Sequence, residues 1–251
     1  MSSMIKLYAD LYIADPWPAA YIEYLDAIII ADLHLGIEGA LQEEGLYLPK
    51  KVSESTRNLV YNILSDLNPS KVIIAGDLKH SFGLLNTSEW IEIKKFVRSL
   101  IEDYRKDVIV IRGNHDNYLG VLLDRFNIPF LERYDYDIYT VIHGHKEGLL
   151  EDFNEVIIMG HEHPSITIRD ELGVKYKYKC FLWGVFGRHK ILILPPLSEL
   201  ATGASFTEYE YIEPLSPLLK KLDLGRFKPF PIIVGETVQE LPELKVLRHI
   251  L

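Results

Sequence analysis

The 251-residue sequence predicts an α/β fold, from two patterns that succeed each other along the chain. Up to about residue 164, short runs rich in Val and Ile alternate with helical patterns, as in βαβ units with a largely parallel sheet. After residue 164 the apolar runs follow one another across short turns. That second pattern predicts an antiparallel continuation, with a second sheet packed on the first. We expect one domain over residues 1–251, with a proline-containing C-terminal tail from about residue 207.

The predicted strands of the first part are continuous β-branched runs without polar alternation. Such runs are typical of strands that are buried on both faces. They are AIIIAD at 27–32, KVIIAGD at 71–77, DVIVIRGNHD at 107–116, IYTVIHGH at 138–145 and EVIIMGHEH at 155–163. The later strands are SITIRD, VKYKYKCFLWGVF and KILILPPL.

Helical patterns separate the first three runs. Apolar residues recur at three-or-four spacing from residue 52 to 67, and Asn68 with Pro69 then ends that helix. A second helix is predicted over about 88–104, and a shorter helical stretch over 118–126.

Composition limits the possible classes of protein. The single Cys180 excludes an internal disulfide and a thiolate cluster, which favours a cytoplasmic setting. No apolar run approaches the roughly 20 residues of a membrane-spanning helix, and the N-terminal sequence lacks a signal-peptide pattern. We therefore expect a soluble protein with no membrane partner. The net charge of −9 argues against nonspecific binding of nucleic acid, although a local basic patch stays compatible with it.

Polar side chains follow each of the five runs. Seven of the nine histidines lie in these turns, at the carboxyl ends of predicted strands, where α/β sheets bind ligands. The residues are Asp32 and His34; Asp77 and His80; Asn114, His115 and Asp116; His143 and His145; and His161 and His163.

Carboxylates, imidazoles and an amide oxygen, with no thiolate, suit divalent ions such as Mn, Fe, Zn, Co or Ni. Eight or more candidate ligands are too many for one ion and suit two ions that share a bridging carboxylate. Two ions about 3.5–4 Å apart can clamp an in-line phosphoryl displacement, with a metal-activated water as the nucleophile. A remaining histidine can protonate the leaving oxygen.

The ordered set DLH, GDLKH, GNHD, HGH and GHEH resembles the motifs of the calcineurin-like metallophosphoesterases, over residues 32–163. The later LPPLSELATG at 194–203 resembles a short motif of a prokaryotic phosphoesterase branch that includes a DNA-ligase-associated enzyme. This resemblance implies a two-sheet sandwich with helices outside, in four layers.

The resemblance also implies a role for each motif residue. Asp32, His34, Asp77 and His163 would hold the first ion. Asp77, Asn114, His143 and His161 would hold the second, with Asp77 bridging. His115 would donate a proton to the leaving group, and Asp116 would orient His115.

The remaining polar residues of the motifs are expected near the substrate or behind the ligands. Many members of the family carry Asp where this chain has His80, which we expect to face the substrate or to support the ligands. His145 has the same expected place, because His143 is the favoured ligand of its pair. Arg112 and Lys79 are candidates for contact with phosphate, or equally for solvated positions.

These features predict a phosphodiesterase that acts on nucleic acid or nucleotides with two divalent ions, Mn²⁺ being favoured. A phosphomonoesterase or small-nucleotide hydrolase is the first alternative, and a noncatalytic scaffold that keeps the fold is the second. The expected partners are a phosphoester substrate such as DNA or a nucleotide and a second copy of the chain. The Lys and Tyr alternation in VKYKYKC predicts either a surface for single-stranded nucleic acid or an edge strand protected by lysines.

Overall fold

The computed structural model describes residues 3–43, 45–46, 51–208, 213–234 and 236–250. Within those residues the strands form two seven-stranded sheets that pack face to face. The first sheet contains, in spatial order, β1 (Ser3–Tyr8), β2 (Leu11–Asp15), β3 (Ala20–Ile22), β4 (Ala27–Ile30), β5 (Lys71–Ile74), β6 (Asp107–Ile111) and β7 (Phe130–Leu131).

The first sheet is mixed, whereas the sequence pattern predicted a largely parallel one. Strands β4 to β7 are parallel, with Ile28 opposite Val72 and Val72 opposite Val108. Strands β1 to β4 form an antiparallel meander, which the sequence analysis did not predict. These N-terminal strands have three to six residues each, and Asp10 and the Pro16–Pro18 segment interrupt their apolar pattern. These strands pair with one another and, through β3, with β4. This pairing stabilises strands whose local sequence pattern is weak.

The second sheet contains the fourth and fifth β-branched runs, so the five motif-bearing strands divide three and two between the sheets. Its strands are β8 (Arg133–Tyr136), β9 (Tyr139–Ile142), β10 (Val156–Met159), β11 (Ser165–Arg169), β12 (Lys175–Phe186), β13 (His189–Ile193) and β14 (Lys228–Pro231). Their order is β11-β12-β13-β10-β9-β8, and β14 pairs with β12. Strand β10 is parallel to both of its neighbours, while β11, β12 and β13 are antiparallel as predicted.

The helices are α1 (Ile37–Glu43), α2 (Val52–Leu67), α3 (Thr87–Arg98), α4 (Gly120–Leu123) and α5 (Leu244–Ile250). The left-handed Asn68 ends α2, as predicted, and its N–H bonds the carbonyl of Leu64. A capping box of Asn86 and Glu89 begins α3, and a π-helical turn over Ser99–Asp103 completes the predicted 88–104 helix. The predicted stretch at 118–126 is only one α-helical turn and a 3₁₀ turn. Among the described residues, no helix has the length and apolarity needed to cross a bilayer.

Successive side chains of one strand point to opposite faces of the sheet and pack into two different cores. In β4, Ile28 and Ile30 pack against the helices, while Ile29 packs against the second sheet. The outer face of the second sheet is covered by residues of the C-terminal region, namely Phe206, Leu218, Leu219 and Leu244. The fold therefore has helices, two sheets and a C-terminal covering layer. Residues 209–212, 235 and 251 of the predicted tail lie outside the described residues.

Ile158 tests the packing between the sheets. It is fully buried in the inter-sheet core, so Ile158→Ala should lower the free energy of unfolding by about 2–5 kcal/mol, through lost burial and a residual cavity. Chemical denaturation measures the change. The matched control is Ile91→Ala on α3, where the side chain is 54% exposed and the expected change is within about 0.5 kcal/mol. Equal effects in the two variants would contradict the assigned core.

Candidate metal centre

The five motif turns meet at one end of the sandwich. Turns after β4, β5 and β6 come from the first sheet, and turns after β9 and β10 come from the second. Backbone hydrogen bonds join the first two turns, since Asp32 N–H donates to Gly76 and His34 N–H donates to Asp77, at 3.1 and 3.0 Å. The His161 N–H donates to the Asp32 carboxylate across the two sheets. The turns therefore form one connected cluster.

The described residues form three groups of potential ligands in this cluster, of which the third contains His34, His80 and His115. Asp32, His34 and His163 form the first, with His163 Nε2 3.3 Å from Asp32 Oδ1 and 3.4 Å from His34 Nε2. Asp77, His143 and His161 form the second, with His143 Nε2 3.4 Å from Asp77 Oδ2. In each group, one ligand atom per residue lies within 4.8 Å of the others. Each of the first two groups contains three of the four residues that the motif resemblance implies for one ion, and the ligand assignment stays a prediction.

Asp77 belongs to the second group and also lies close to the first. Its Oδ2 is 3.4 Å from His143 Nε2 in the second group and 3.9 Å from His34 Nε2 in the first. Asn114 lies beside the second group, where its Oδ1 is 3.0 Å from His143 Nε2. Asp77 is thus positioned as a carboxylate that both groups can share.

Five of the predicted ligands adopt the left-handed backbone conformation. Their φ values are 56° for Asp32, 46° for His34, 53° for Asp77, 72° for His161 and 47° for His163. Residues with a Cβ seldom adopt this conformation, although Asp and His tolerate it better than most. Such strain persists only where the surrounding structure imposes it, and it concentrates at functional sites. Nothing in the residue pattern alone signalled this feature.

Two motif glycines are required by close approach. A Cβ on Gly76 would lie 2.3 Å from His143 Nδ1, and Gly76 also has a φ of +93°. A Cβ on Gly113 would lie 2.0 Å from Asp77 Oδ1. The glycines of GDLKH and GNHD therefore leave space for a ligand that comes from another turn.

Asp116 holds two turns together and does not orient the His115 ring. Its buried carboxylate accepts the N–H groups of Asp77, Lys79 and Gly113 at 2.8, 3.2 and 2.9 Å. In the structure, the group that orients His115 is the carbonyl oxygen of His80, which contacts His115 Nδ1. The expected role of Asp116 is corrected in this respect, because the carboxylate is occupied by backbone donors.

The tautomers of two histidines follow from their carbonyl partners. Since a carbonyl oxygen can only accept, Nδ1 of His115 carries the proton toward His80 and Nε2 faces the cluster, 3.8 Å from Asp77 Oδ2. In the same way, His143 Nδ1–H donates to the carbonyl of Ala75 at 2.9 Å. His143 Nε2 therefore faces Asp77 Oδ2 and Asn114 Oδ1, and it must lose its proton before it can bind a metal ion.

His80 lies closer to the ligands than the sequence suggested. One of its ring nitrogens is within 4.8 Å of ligand atoms on His34 and His115, and its ring stacks on that of His115 at 5.7 Å. His145 lies beside His143, with ring centroids 5.3 Å apart, and faces a cavity. His143 is the member of that pair that meets Asp77.

The two candidate phosphate-binding cations have other partners. Arg112 donates to Asn117 Oδ1 at 3.1 Å and lies 3.5 Å from Glu132, at the rim of the centre. The Lys79 side chain is fully buried, and its Nζ donates to the carbonyls of Ser81 and Gly83. Lys79 therefore supports a loop, which corrects the expectation that it meets phosphate or solvent.

Two buried carboxylates that the sequence analysis did not single out also hold the cluster. Glu89 accepts the N–H groups of His80 and Ser81 at 3.2 and 2.5 Å. Glu162, between the two histidines of GHEH, accepts the Leu215 and Ser216 N–H groups at 3.2 and 2.5 Å. The N-x-x-E spacing of Asn86 and Glu89 was the available sequence signal for the first; Glu162 gave none.

The segment 194–203 packs along the first motif turn. Leu197 N–H donates to the Ala31 carbonyl and Ser198 N–H to that of Asp32. Lysines of β12 hold it from the other side: Lys179 Nζ donates to the carbonyls of Pro196 and Ser198, and Lys177 Nζ to that of Gly203. These two lysines therefore secure the segment, a role that differs from both alternatives considered for VKYKYKC.

The protonation of the site follows from burial and from charge pairing. Burial disfavours ionised Asp32 and Asp77, but His163 beside Asp32 and His143 beside Asp77 hold both pKa values below the usual range. Burial lowers the pKa of His34 to about 3 and that of His161 to about 4. Burial is outweighed at His143, where Asp77 and Asp32 raise the pKa to about 9. An incoming cation must displace the proton on His143. The affinity of the site for a divalent cation should therefore fall at low pH.

The cluster fits divalent cations on its own chemistry. Its donors are carboxylate oxygens, an amide oxygen and imidazole nitrogens, a set suited to Mn, Fe, Zn, Co and Ni. Carbonyl partners behind His143 and His115 fix which nitrogen is presented, as is usual behind metal-binding histidines. A cavity of about 420 Å³ opens beside the cluster, with His143, His145, Lys146, Arg133, Glu132 and Asp152 in its wall.

Comparisons with known proteins concern the family and the fold of the chain. A family model described as calcineurin-like phosphoesterase matches residues 26–184. The structure is similar to the nuclease MPE of Pseudomonas putida, at 18% identity and a TM-score of 0.66, over 96% of this chain and 100% of that one. This likeness shows a shared fold. No curated protein sequence matches the chain significantly.

Two further likenesses are weaker. The phosphoesterase Yfce of E. coli is 15% identical, with a TM-score of 0.40 over 68% of this chain and 80% of that one. A predicted phosphoesterase of Streptococcus pneumoniae is also 15% identical, with a TM-score of 0.32 over 86% and 95% of the two chains. Neither similarity is strong enough to support an inference.

Gly113→Ala tests the close approach at Asp77. The added methyl group should displace the Asp77 carboxylate, because the glycine backbone and Asp77 are both fixed by Asp116. We expect the purified variant to bind at least tenfold less Mn²⁺ at limiting concentration, as measured by equilibrium dialysis. Gly83→Ala is the matched control, since a Cβ there meets nothing within 4 Å. Full metal binding by Gly113→Ala would show that the approach is not a constraint.

Proposed function

This chain belongs to the calcineurin-like phosphoesterases, metal-dependent hydrolases of phosphoric esters, and from that premise we propose that it is a phosphodiesterase with two divalent ions, acting on nucleic acid or nucleotides. The family model spans more than half of the chain and contains all five motif turns. The family determines the reaction class. The ligand assignment, the diester preference and the substrate are the proposal.

The position of Asp77 is the observation that carries the proposal. Its Oδ2 lies 3.9 Å from His34 Nε2 and 3.4 Å from His143 Nε2, between two groups of three ligands. A single-ion site needs no carboxylate in that position. A carboxylate in that position can bind both members of a pair of ions about 3.5–4 Å apart.

We assign Asp32, His34, Asp77 and His163 to one ion, and Asp77, Asn114, His143 and His161 to the other. When bound, such ions activate water for attack on phosphorus and offset the negative charge of the phosphoryl oxygens. Mn²⁺ is the first ion to test, because the donors are nitrogen and oxygen with no thiolate. The protein's part is to hold the ligands in fixed positions before substrate arrives.

His115 is the proposed proton donor to the leaving oxygen. Its Nδ1 is engaged by the carbonyl of His80, so Nε2 is the atom that can exchange a proton with substrate. That Nε2 lies 3.8 Å from Asp77 Oδ2, beside the place where phosphate would be bound. The Asp77 carboxylate also accepts the His115 N–H at 3.0 Å, which fixes the turn that carries the imidazole.

Two observations support a nucleic-acid or nucleotide diester as substrate. The P. putida structure with the same fold, matched over 100% of its length, is described as a nuclease. The cavity of about 420 Å³ beside His145 has both basic and acidic residues in its wall, and Lys146 is paired with Glu132 there. A cavity of this size is within the range of ligand sites and accommodates a group larger than phosphate itself.

His161→Ala and His163→Ala test the two-ion assignment. Each variant should lose about one equivalent of bound metal, because the two side chains belong to different groups. Elemental analysis after dialysis against limiting Mn²⁺ gives the count. His249→Ala is the control, since that side chain is exposed on α5. Unchanged occupancy in both site variants would refute the assignment.

A hydrolysis panel with His115→Ala tests the reaction. The enzyme and the variant meet an aryl phosphodiester, an aryl phosphomonoester, and single- and double-stranded DNA, with Mn²⁺ and with a chelator. We expect metal-dependent cleavage of the diester and DNA, with kcat reduced about 10²–10⁴-fold in the variant, as for loss of a general acid. An activated aryl leaving group needs less protonation than the leaving group of DNA. The decrease in kcat in His115→Ala should therefore be smaller for the aryl diester than for DNA. Cleavage of the monoester alone would replace the proposal with a phosphomonoesterase.

A further inference from the structure

We propose that Phe82 is a stacking platform that selects substrates carrying a nucleobase on the leaving group, an inference that rests on the proposed phosphodiesterase function. Phe82 lies in the loop between β5 and α3, directly after His80 and Ser81. No ligand role falls to it, and the sequence gave no sign of one.

The Phe82 ring covers the proposed proton donor. Its centroid is 3.8 Å from that of His115, and the two rings are within 28° of parallel. Phe82 is nevertheless 62% exposed, so the face turned away from His115 is open to solvent. A large aromatic ring that is left open beside the reacting centre offers a flat apolar surface to whatever His115 protonates.

The loop around Phe82 is held in place by buried groups. The Nζ of the fully buried Lys79 donates to the carbonyls of Ser81 and Gly83, the residues on either side of Phe82. Asn117, from the turn that carries His115, donates to the Phe82 carbonyl at 3.1 Å. Burying a lysine is costly unless its partners are fixed. The exposed position of Phe82 is therefore imposed by the fold, unlike that of an isolated surface aromatic.

Glu89 anchors the same loop to the start of α3. Its carboxylate accepts the N–H groups of His80 and Ser81, and it also closes the capping box with Asn86. The loop is consequently joined to a helix on one side and to the His115 turn on the other. Such a platform is formed before substrate binds, which lowers the entropic cost of binding.

The chemistry of the ligand follows from this position. His115 donates its proton to the leaving oxygen, so the group in reach of Phe82 is the one released. Bases stack on aromatic side chains whatever their sequence, provided they are not already stacked in a duplex. Leu84 on the same loop and Tyr118 next to Asn117 are also exposed, at 71% and 61%. A nucleoside with an unstacked base matches this surface better than a bare alkyl group does.

Dinucleotides that differ in one base test the proposal. The substrates are dithymidine monophosphate and its two abasic counterparts, each lacking one thymine, so that the leaving alkoxides have the same basicity. For the enzyme with Mn²⁺, removal of the base on the released nucleoside should lower kcat/KM by about fivefold or more, mainly through KM. Phe82→Ala and Phe82→Leu should remove this preference, and Phe82→Tyr should retain it. Tyr24→Ala, an exposed aromatic in the β3–β4 turn, is the control.

Four outcomes of these assays would overturn the proposal. If Phe82→Ala lowers kcat/KM equally for all three substrates, the Phe82 ring acts only on His115. A preference that survives in Phe82→Ala and Phe82→Leu, or that is absent from the enzyme itself, would exclude stacking. If the folded, metal-loaded enzyme cleaves none of the dinucleotides or DNA, the diesterase proposal fails and this inference fails with it.

A fluorescence measurement gives a result that does not depend on turnover. A methylphosphonate dinucleotide with 2-aminopurine on either side replaces the substrate. Stacking should quench the fluorophore on one side only, and Phe82→Leu should lose that quenching while Tyr24→Ala keeps it. Equal quenching in Phe82→Leu and the unmodified enzyme would contradict the platform.

Discussion

The packing of two sheets face to face is the constraint on which the proposed metal centre depends. Three motif turns follow strands of the first sheet and two follow strands of the second, so neither sheet holds a complete site. The inter-sheet core, with Ile29, Ile73 and Ile158 at its centre, brings the carboxyl ends of both sets of strands to the same end of the sandwich. Stability of this core and assembly of the site are therefore coupled.

Buried carboxylates that bind backbone N–H groups complete this arrangement. Asp116 joins the turns after β5 and β6, Glu89 joins the β5 turn to α3, and Glu162 joins the β10 turn to the C-terminal region. Each replaces water as the acceptor for groups that strands and helices leave unpaired. Asp116 holds the Asp77 N–H, and the Gly76 and Asp77 carbonyls hold those of Asp32 and His34, so these residues can remain in the left-handed conformation.

The centre and its surroundings have separate tasks. The proposed ligands are charged or polar and largely buried, and the Ala75 carbonyl holds His143 from behind. The residues that would meet the rest of a substrate, among them Phe82 and His145, stand on loops at the edge of the cluster. The centre stays the same while the residues on the surrounding loops can differ between proteins. One fold can therefore act on different phosphoric esters. The clamped Phe82 loop is the part of the rim that the fold specifies most strongly.

The sequence by itself determined the residue types of the site and their places just past strand ends, because strand runs and ligand motifs are local patterns. It also predicted α2, α3 and the antiparallel strands after residue 164, where periodicity and the stop at Asn68 are strong. Only the tertiary structure decided that β9 and β10 belong to a second sheet, that β1–β3 join the first, and that Asp116 binds backbone. The buried position of Lys79 and the stacking of Phe82 on His115 were likewise visible only in the tertiary structure. These features arise from contacts between residues far apart in sequence, and a local pattern carries no information about such partners.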